Sequence, residues 1–178
     1  MNTVTSAWDG AADGVPVRVC AALVDPGGRV CVIHRHRPGG VQHTLPGGLV
    51  AEGEQLAAAL RRELRKELGL AVDDVSLVPR FEQHQETRRP GEGRLFRRRH
   101  FVFVIHLSKP LAEGVAPAEL NAEDDPEVLW LPPADLAGAH LYPALGEHLV
   151  AAVTTQAPPA AAEPVLLVTM TDASYQWR

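Results

Sequence analysis

The most constraining feature of the sequence is residues 48–70, GLVAEGEQLAAALRRELRKELGL, which follow a Leu-Pro-Gly turn. This turn leads into a predicted helix that begins near Glu54 and ends at Gly69. Leucines recur every four residues in the helix, so they form one apolar stripe that packs on a core. The stripe consists of Leu56, Leu60, Leu64 and Leu68.

Two acids lie on the same predicted helix. Glu63 and Glu67 are four residues apart, so their carboxylates lie on one face, beside the leucine stripe. Mg²⁺ typically binds one or two protein carboxylates together with waters and phosphate oxygens, and the carbonyls of a tight turn can add a ligand. The stretch therefore predicts a site for a hard divalent cation.

The spacing of these residues resembles the Nudix box. That motif reads Gly, five residues, Glu, seven residues, Arg-Glu-aliphatic, one residue, Glu-Glu, one residue, Gly-aliphatic. The positions that match are Gly48, Glu54, Arg62, Glu63, Leu64, Glu67, Gly69 and Leu70. Lys66 departs from the motif, because it occupies the place of the first acid of the Glu-Glu pair. An ordinary amphipathic helix with a glycine cap would explain the leucines and Gly69, but not the other offsets.

The resemblance implies an α/β protein, an α/β/α sandwich around a mixed β-sheet. It implies hydrolysis of a pyrophosphate bond in a nucleoside diphosphate linked to another moiety, with Mg²⁺ or Mn²⁺ as cofactor. Glu67 and the carbonyl of Gly47 would hold the ion, and Glu63 would be a ligand or the general base. Arg62, the third predicted catalytic residue, would orient a glutamate through an ion pair, while Glu54 either takes part in the site or only caps the helix.

Lys66 leaves several functions open. A lysine in place of a glutamate changes the local charge by about two units, and its ammonium repels a second metal ion. Either its side chain points away and a one-metal hydrolase remains, or it lies in the site and binds phosphate. The chain is then a hydrolase, a catalytically weakened small-molecule binding or regulatory module, or an enzyme for a less usual phosphorylated metabolite.

Before the box, aliphatic residues at 15–24 and 29–34 flank an Asp-Pro-Gly-Gly turn and predict a hairpin. The second strand ends in His34, Arg35, His36 and Arg37. These side chains either contact phosphate or base, or form a polar strand end in solvent. Arg35 and Arg37 are predicted substrate contacts, because guanidinium matches phosphate oxygens in a bidentate way.

After the box, strands are predicted at residues 75–82 and 100–107, with a long polar loop at 83–99 between them. The loop is rich in arginine, so it is either a solvated face or a clamp for a polyphosphate. Arg97 and Arg99 are its predicted substrate contacts, and Lys66 on the helix is a further one.

Many Nudix enzymes complete the metal site with an acid outside the box. Three glutamates near the polar loop are candidates here, namely Glu82, Glu86 and Glu92. Glu82 is preferred as a metal ligand because it belongs to a predicted strand rather than to the loop.

The ends of the chain differ from its centre. Residues 1–14 are predicted to be a flexible arm, and residues 15–157 the Nudix domain, with a second helix at 141–153 on the opposite face of the sheet. Residues 158–178 combine a Pro/Ala linker with an apolar tail. This tail adds an edge strand, reaches a second subunit in a homodimer, or is disordered.

Composition narrows the choice of partners and compartment. The 178 residues carry a formal net charge of −5, which favours neither nucleic acid nor an anionic membrane surface. The expected partner is a small phosphorylated molecule. The two cysteines, Cys20 and Cys31, lie in predicted strands, and the sequence shows no secretory signal. We therefore expect a cytoplasmic protein with reduced thiols.

Overall fold

The structure is a computed structural model that describes residues 13–120, 123, 125–155 and 163–178. Nearly all of the predicted N-terminal arm, and most of the predicted Pro/Ala linker, lie outside these ranges. The described elements are, in chain order, β1 (Val17–Val24), β2 (Val30–Arg37), β3 (Gly40–Thr44), β4 (Gly47–Leu49), α1 (Leu56–Leu68), β5 (Phe81–Arg88), β6 (Leu95–His106), α2 (Lys109–Glu113), β7 (Glu127–Leu131), α3 (Pro133–Leu136), β8 (Leu141–Tyr142), α4 (Gly146–Thr154), β9 (Val165–Leu166) and β10 (Met170–Thr171).

The strands form one mixed sheet in the order β10-β5-β6-β1-β2-β3-β8, with β4 paired to β1, β7 to β2 and β9 to β5. β1 is parallel to β6 and antiparallel to β2 and β4. Alternate residues of β1 face opposite sides of the sheet. Val19 packs with the leucines of α1, whereas Cys20 packs with Leu149 of α4. The predicted α/β/α sandwich is therefore confirmed.

Helix α1 matches its predicted apolar stripe. Leu60, Leu64 and Leu68 are fully buried against the sheet, and each contributes about 1.5–3 kcal/mol by leaving water. The helix begins at Leu56, two residues later than predicted. It ends before Gly69, whose φ of 61° gives the left-handed cap that glycine adopts without a steric penalty.

The prediction for residues 75–99 was wrong. Residues 75–80 form no strand, and most of the predicted loop belongs to the β5–β6 hairpin, which pairs from Phe81↔Val102 to Arg88↔Leu95. The inward positions of β5 include Gln83, Gln85 and Thr87, which are all buried. Their polar side chains obscured the alternation that identifies a strand.

The second predicted helix was also placed too early. Residues 141 and 142 form β8, which pairs with β3, and α4 begins only at Gly146. Pro143 separates the two elements and lacks the N–H group that a helix interior requires. α3 and α4 lie together against the sheet face opposite α1, where Leu136 and Leu149 are fully buried.

The C-terminal tail packs on its own chain. β9 and β10 are parallel to β5 and extend the sheet at that edge, which is one of the three predicted arrangements. Tyr175 is buried, and the indole Nε1 of Trp177 donates a hydrogen bond to Thr87 at 3.2 Å. The homodimer stays a prediction. No helix among the described residues has the length and apolar character needed to cross a lipid bilayer.

Candidate functional site

Two glycines let β4 pack closely between β1 and α1. Gly47 pairs with Cys20 and Gly48 with Val19. A Cβ atom on Gly47, where φ is 151°, would overlap the backbone oxygen of Val19, and one on Gly48 would overlap the carboxylate of Glu63. Gly47 and Gly48 therefore let the backbone of β4 contact both β1 and the acidic face of the helix.

Gly48→Ala is expected to destabilise the protein by about 1–3 kcal/mol, the usual cost of overpacking. The added methyl group forces the buried side chain of Glu63 to move. Thermal unfolding should show a lower Tm than that of the wild type. Gly93→Ala is the matched control, because a Cβ atom there meets no heavy atom within 4 Å. Equal Tm values for the wild type and Gly48→Ala would contradict the expected packing.

Arg62 connects the helix to the preceding loop. Its guanidinium donates from Nε and Nη2 to the two carboxylate oxygens of Glu54, each at 2.9 Å, and Nη2 also donates to the backbone oxygen of Leu49 at 2.9 Å. Nη1 pairs with Oε1 of Glu63. Hydrogen bonding to Glu54 raises the pKa of Arg62 and lowers that of Glu54. Arg62 therefore pairs with two glutamates, and the orienting role that the resemblance implies stays a prediction.

Lys66 lies at the acidic face rather than away from it. Its Nζ is 3.4 Å from Oε2 of Glu63, three residues earlier on the helix. The Lys66 side chain is 51% exposed, whereas that of Glu63 is 7% exposed. Cations thus flank Glu63 on both sides, Arg62 at one carboxylate oxygen and Lys66 at the other.

Glu67 is held against the turn that precedes the helix. Its Oε2 accepts a hydrogen bond from the backbone N–H of Gly47 at 2.9 Å, and the role of the Gly47 carbonyl as a metal ligand stays a prediction. Burial raises the pKa of Glu67, and the charge of Glu63 raises it further. The Gly47 bond and the charges of Arg18 and Arg35 act in the opposite direction. The charges of Glu67 and Glu63 therefore act on each other at this face of the helix.

Arg18 is a site residue that sequence reasoning missed. It is buried, donates from Nη2 to the backbone oxygen of Leu45 at 2.9 Å, and lies over the ring of Tyr142 at 5.4 Å. Its Nη1 is buried without a hydrogen-bond partner among the described residues. The only sequence signal was a single arginine in the apolar strand VRVCAALV, and a buried cation needs a charged or polar partner.

Of the two predicted substrate arginines of β2, Arg35 acts on Glu67 of the box, whereas Arg37 contacts Gln42. The charge of Arg35 lowers the pKa of Glu67, and its Nε donates to Oγ1 of Thr44 at 3.3 Å. Arg37 donates to Oε1 of Gln42 at 3.3 Å. Gln42 is buried and also contacts the hydroxyl of Tyr175 in the tail. The structure thus brings Arg35, but not the predicted β6 arginines, into the electrostatic environment of Glu67.

Glu82 and the β6 arginines form a separate group. Arg99 donates to Oε1 of Glu82 at 2.8 and 3.0 Å, and His84 lies 2.8 Å from the same oxygen. Arg97 is exposed and pairs with Glu86 at 3.5 Å. Glu82 and Gly48 share a row of the sheet but are three strands apart, or about 14 Å between Cα atoms. In the structure Glu82 pairs with Arg99 and His84, and its role as a metal ligand stays a prediction.

The chain is similar in sequence to a known domain family and to curated proteins. The family profile of the NUDIX domain matches residues 14–152. A relative named nucleoside triphosphatase NudI, from Escherichia coli, is 30% identical over 96 residues, which are 53% of this chain and 64% of the relative. The match thus spans less than two thirds of the length of that curated protein.

Solved structures share the fold at low sequence identity. A MutT protein from Bacillus halodurans has a TM-score of 0.54 at 15% identity, covering 90% of this chain and 93% of its own. The ORF135 protein of Escherichia coli has a TM-score of 0.53 at 19% identity, covering 82% and 95%. The match to the NUDIX domain extends over most of the chain, includes the box, and agrees with this shared fold. The chain therefore belongs to the Nudix family.

Proposed function

We propose that this protein is a metal-dependent hydrolase that cleaves a pyrophosphate bond in a nucleoside diphosphate linked to another moiety, such as a nucleotide or a nucleotide sugar. The observation that carries the proposal is the pair Glu63 and Glu67 on α1, held beside the glycine turn of β4. Membership of the Nudix family supports it. The relative that is named a nucleoside triphosphatase supports a phosphorylated small molecule as substrate.

The acids fit a hard divalent cation. Burial and the charge of Glu63 both raise the pKa of Glu67, so a cation at this position would stabilise the charged form of the pair. Carboxylate oxygens are the protein ligands that Mg²⁺ and Mn²⁺ take. We assign Glu67 as the residue that would hold Mg²⁺ or Mn²⁺, with Glu63 as either a second ligand or the general base. When bound, such an ion neutralises charge on the phosphoryl oxygens.

In this proposal Glu63 and the neighbouring arginines have different chemical roles. In the reaction a water oxygen bonds to one phosphorus, and the bridging P–O bond breaks with its electron pair leaving on the other phosphate. A carboxylate, for which Glu63 is the candidate, takes the proton from water. Arg62 positions Glu63 through their ion pair. Arg35 and Arg18 bring positive charge to the same region, where it would favour a polyphosphate.

A binding or regulatory module is the second candidate function. It rests on the contact between Lys66 and Glu63, because an ammonium paired with a carboxylate competes with a metal ion for that oxygen. In this case the chain would bind a phosphorylated small molecule without rapid hydrolysis. Thermal shift detects ligand binding whether or not hydrolysis follows, since any ligand of the folded state raises Tm.

A substrate screen tests the proposal. Nucleoside triphosphates, dinucleotides and nucleotide sugars are incubated with Mg²⁺ or Mn²⁺, and phosphate products are measured. We expect hydrolysis of at least one class, dependent on the metal and abolished by a chelator. Stabilisation by a nucleotide without turnover of any compound would favour the binding module. Hydrolysis that persists in excess chelator would contradict metal dependence.

A further inference from the structure

A cluster of histidines lies on the face of β2 away from Arg35 and Arg37. His34 and His36 are two residues apart on this strand, so their side chains share one face. Glu127 of β7 lies directly opposite His34 in the antiparallel pairing, and directly opposed residues project to the same face. Two histidines and one carboxylate thus come from neighbouring strands of a rigid sheet.

The three side chains are close enough to bind one ion. One ligand atom from each of His34, His36 and Glu127 lies within 4.8 Å of the other two. His36 and Glu127 are exposed, and His34 is half-buried. Exposed side chains on a fixed backbone can adjust their rotamers, so a small inward movement would bring the three atoms to the spacing of a metal site without cost to the core.

The hydrogen bond between His34 and His43 is of the kind found in metal-binding histidines. Nδ1 of His34 is 3.1 Å from Nε2 of His43, its neighbour across β3. When His34 donates this hydrogen bond, its Nε2 has a lone pair available for coordination. Histidines that bind metals usually have their second ring nitrogen held by such a hydrogen bond, which fixes the tautomer and the ring orientation.

The donor set indicates the class of metal. Mg²⁺ prefers oxygen ligands, whereas imidazole nitrogen suits Zn²⁺ and its neighbours in the first transition series. Two histidines, one glutamate and an open fourth position match the ligand set of zinc sites that keep a water or another exchangeable ligand. Arg35, on the other face of β2, influences Glu67, so this cluster is separate from the acids of α1.

We propose that His34, His36 and Glu127 form a binding site for a Zn²⁺-class transition metal, with His43 as a positioning residue. The ion ties β2 to β7 and has one exchangeable position facing solvent. The site uses none of the residues assigned to pyrophosphate hydrolysis. Its existence is therefore independent of the proposed function of the acids on α1.

Titration of the full chain with Zn²⁺ and Co²⁺, after removal of any purification tag, tests the site. Calorimetry should give one Zn²⁺ per chain at this site, and Co²⁺ should give the visible absorption of a tetrahedral nitrogen and oxygen environment. His36→Ala and Glu127→Gln should each weaken Zn²⁺ binding at least about tenfold, because each removes one of three ligands. A large excess of Mg²⁺ should not displace the ion.

Two variants serve as controls for this titration. His106→Ala removes an exposed histidine of β6 and should leave Zn²⁺ binding unchanged. His43→Ala should retain the stoichiometry with weaker affinity, as expected for a positioning residue. Circular dichroism of each metal-free variant checks that it folds. Equal Zn²⁺ affinity for the wild type, His36→Ala and Glu127→Gln would overturn the proposal, as would loss of Zn²⁺ binding in Glu67→Gln alone.

Discussion

Glu67→Gln is expected to lower the rate of metal-dependent pyrophosphate hydrolysis by roughly 10²- to 10⁴-fold. The substitution keeps the shape of the side chain and its ability to accept the hydrogen bond from Gly47, but it removes the negative charge that would hold the cation. Loss of charge stabilisation worth several kcal/mol corresponds to this range of rates. Initial rates at saturating Mg²⁺ and substrate measure the effect.

Although its activity should fall, the metal-free stability of Glu67→Gln should equal or exceed that of the wild type. Burial raises the pKa of Glu67, so without metal the folded protein holds the proton more tightly than the unfolded chain does. Stability then falls as pH rises from the unfolded pKa through the raised folded pKa. Glutamine carries no such penalty, and metal-free Glu67→Gln should be at least as stable as the wild type at neutral pH. Melting curves between about pH 4 and pH 8 measure the difference.

Glu113→Gln provides the control for both measurements, because this exposed residue of α2 loses the same charge far from the box in sequence. Its rate and its pH dependence of stability should match those of the wild type. If Glu67→Gln retained full activity, Glu67 could not be an essential metal ligand. If it lost activity and also unfolded at neutral pH, the loss would report structure rather than chemistry.

The sequence predicted the box well because each of its positions has a local physical requirement. Gly48 allows contact with Glu63, Gly69 takes the left-handed cap, and the leucines follow the helical repeat. These requirements depend on residues close in sequence or on backbone geometry. The ion pairs of Arg62 were expected from the resemblance to the Nudix box rather than from helix spacing, because one partner, Glu54, precedes the helix and the other, Glu63, is the next residue.

Contacts between residues far apart in sequence explain why β5 and Arg18 were not predicted. β5 presents glutamine and threonine to the interior, where Gln85 accepts a hydrogen bond from the hydroxyl of Tyr142 of β8 and lies 2.8 Å from His100 of β6. No local pattern shows that such polar residues will find partners across the sheet. Arg18 was missed for the same reason. Its influence on Glu67 arises only when β1 and α1 come together.

Residues that follow the box in sequence can also lie away from it in the sheet. Arg97 and Arg99 follow the box and are positively charged, but β6 places both on the far side of β1 from β4. There they pair with Glu86 and Glu82. A role for them as substrate contacts stays a prediction. The nearer candidates for phosphate are Arg35 and Arg18, whose charges act on Glu67.

Lys66→Glu is expected to raise metal-dependent hydrolysis by about ten- to hundredfold and to strengthen Mg²⁺ binding. It removes the ammonium that lies 3.4 Å from Glu63 and supplies the acid that the Nudix box contains at this position. Two charges 4 Å apart interact by about 4 kcal/mol near a protein surface. Because Lys66 is half exposed, solvent reduces this to about 1 kcal/mol, and the added carboxylate ligand accounts for the rest of the expected change in rate.

Lys66→Gln separates the effect of removing the ammonium from the effect of adding a carboxylate ligand. It removes the positive charge without adding a ligand, so its rate should lie between those of the wild type and Lys66→Glu. Arg65→Gln is the matched control, because the neighbouring Arg65 is similarly exposed and pairs with Asp73 rather than with Glu63. Its rate should equal that of the wild type. If the rate fell in both Lys66 variants, the ammonium would be a substrate contact, and the enzyme would have converted a metal-ligand position into a phosphate-binding one.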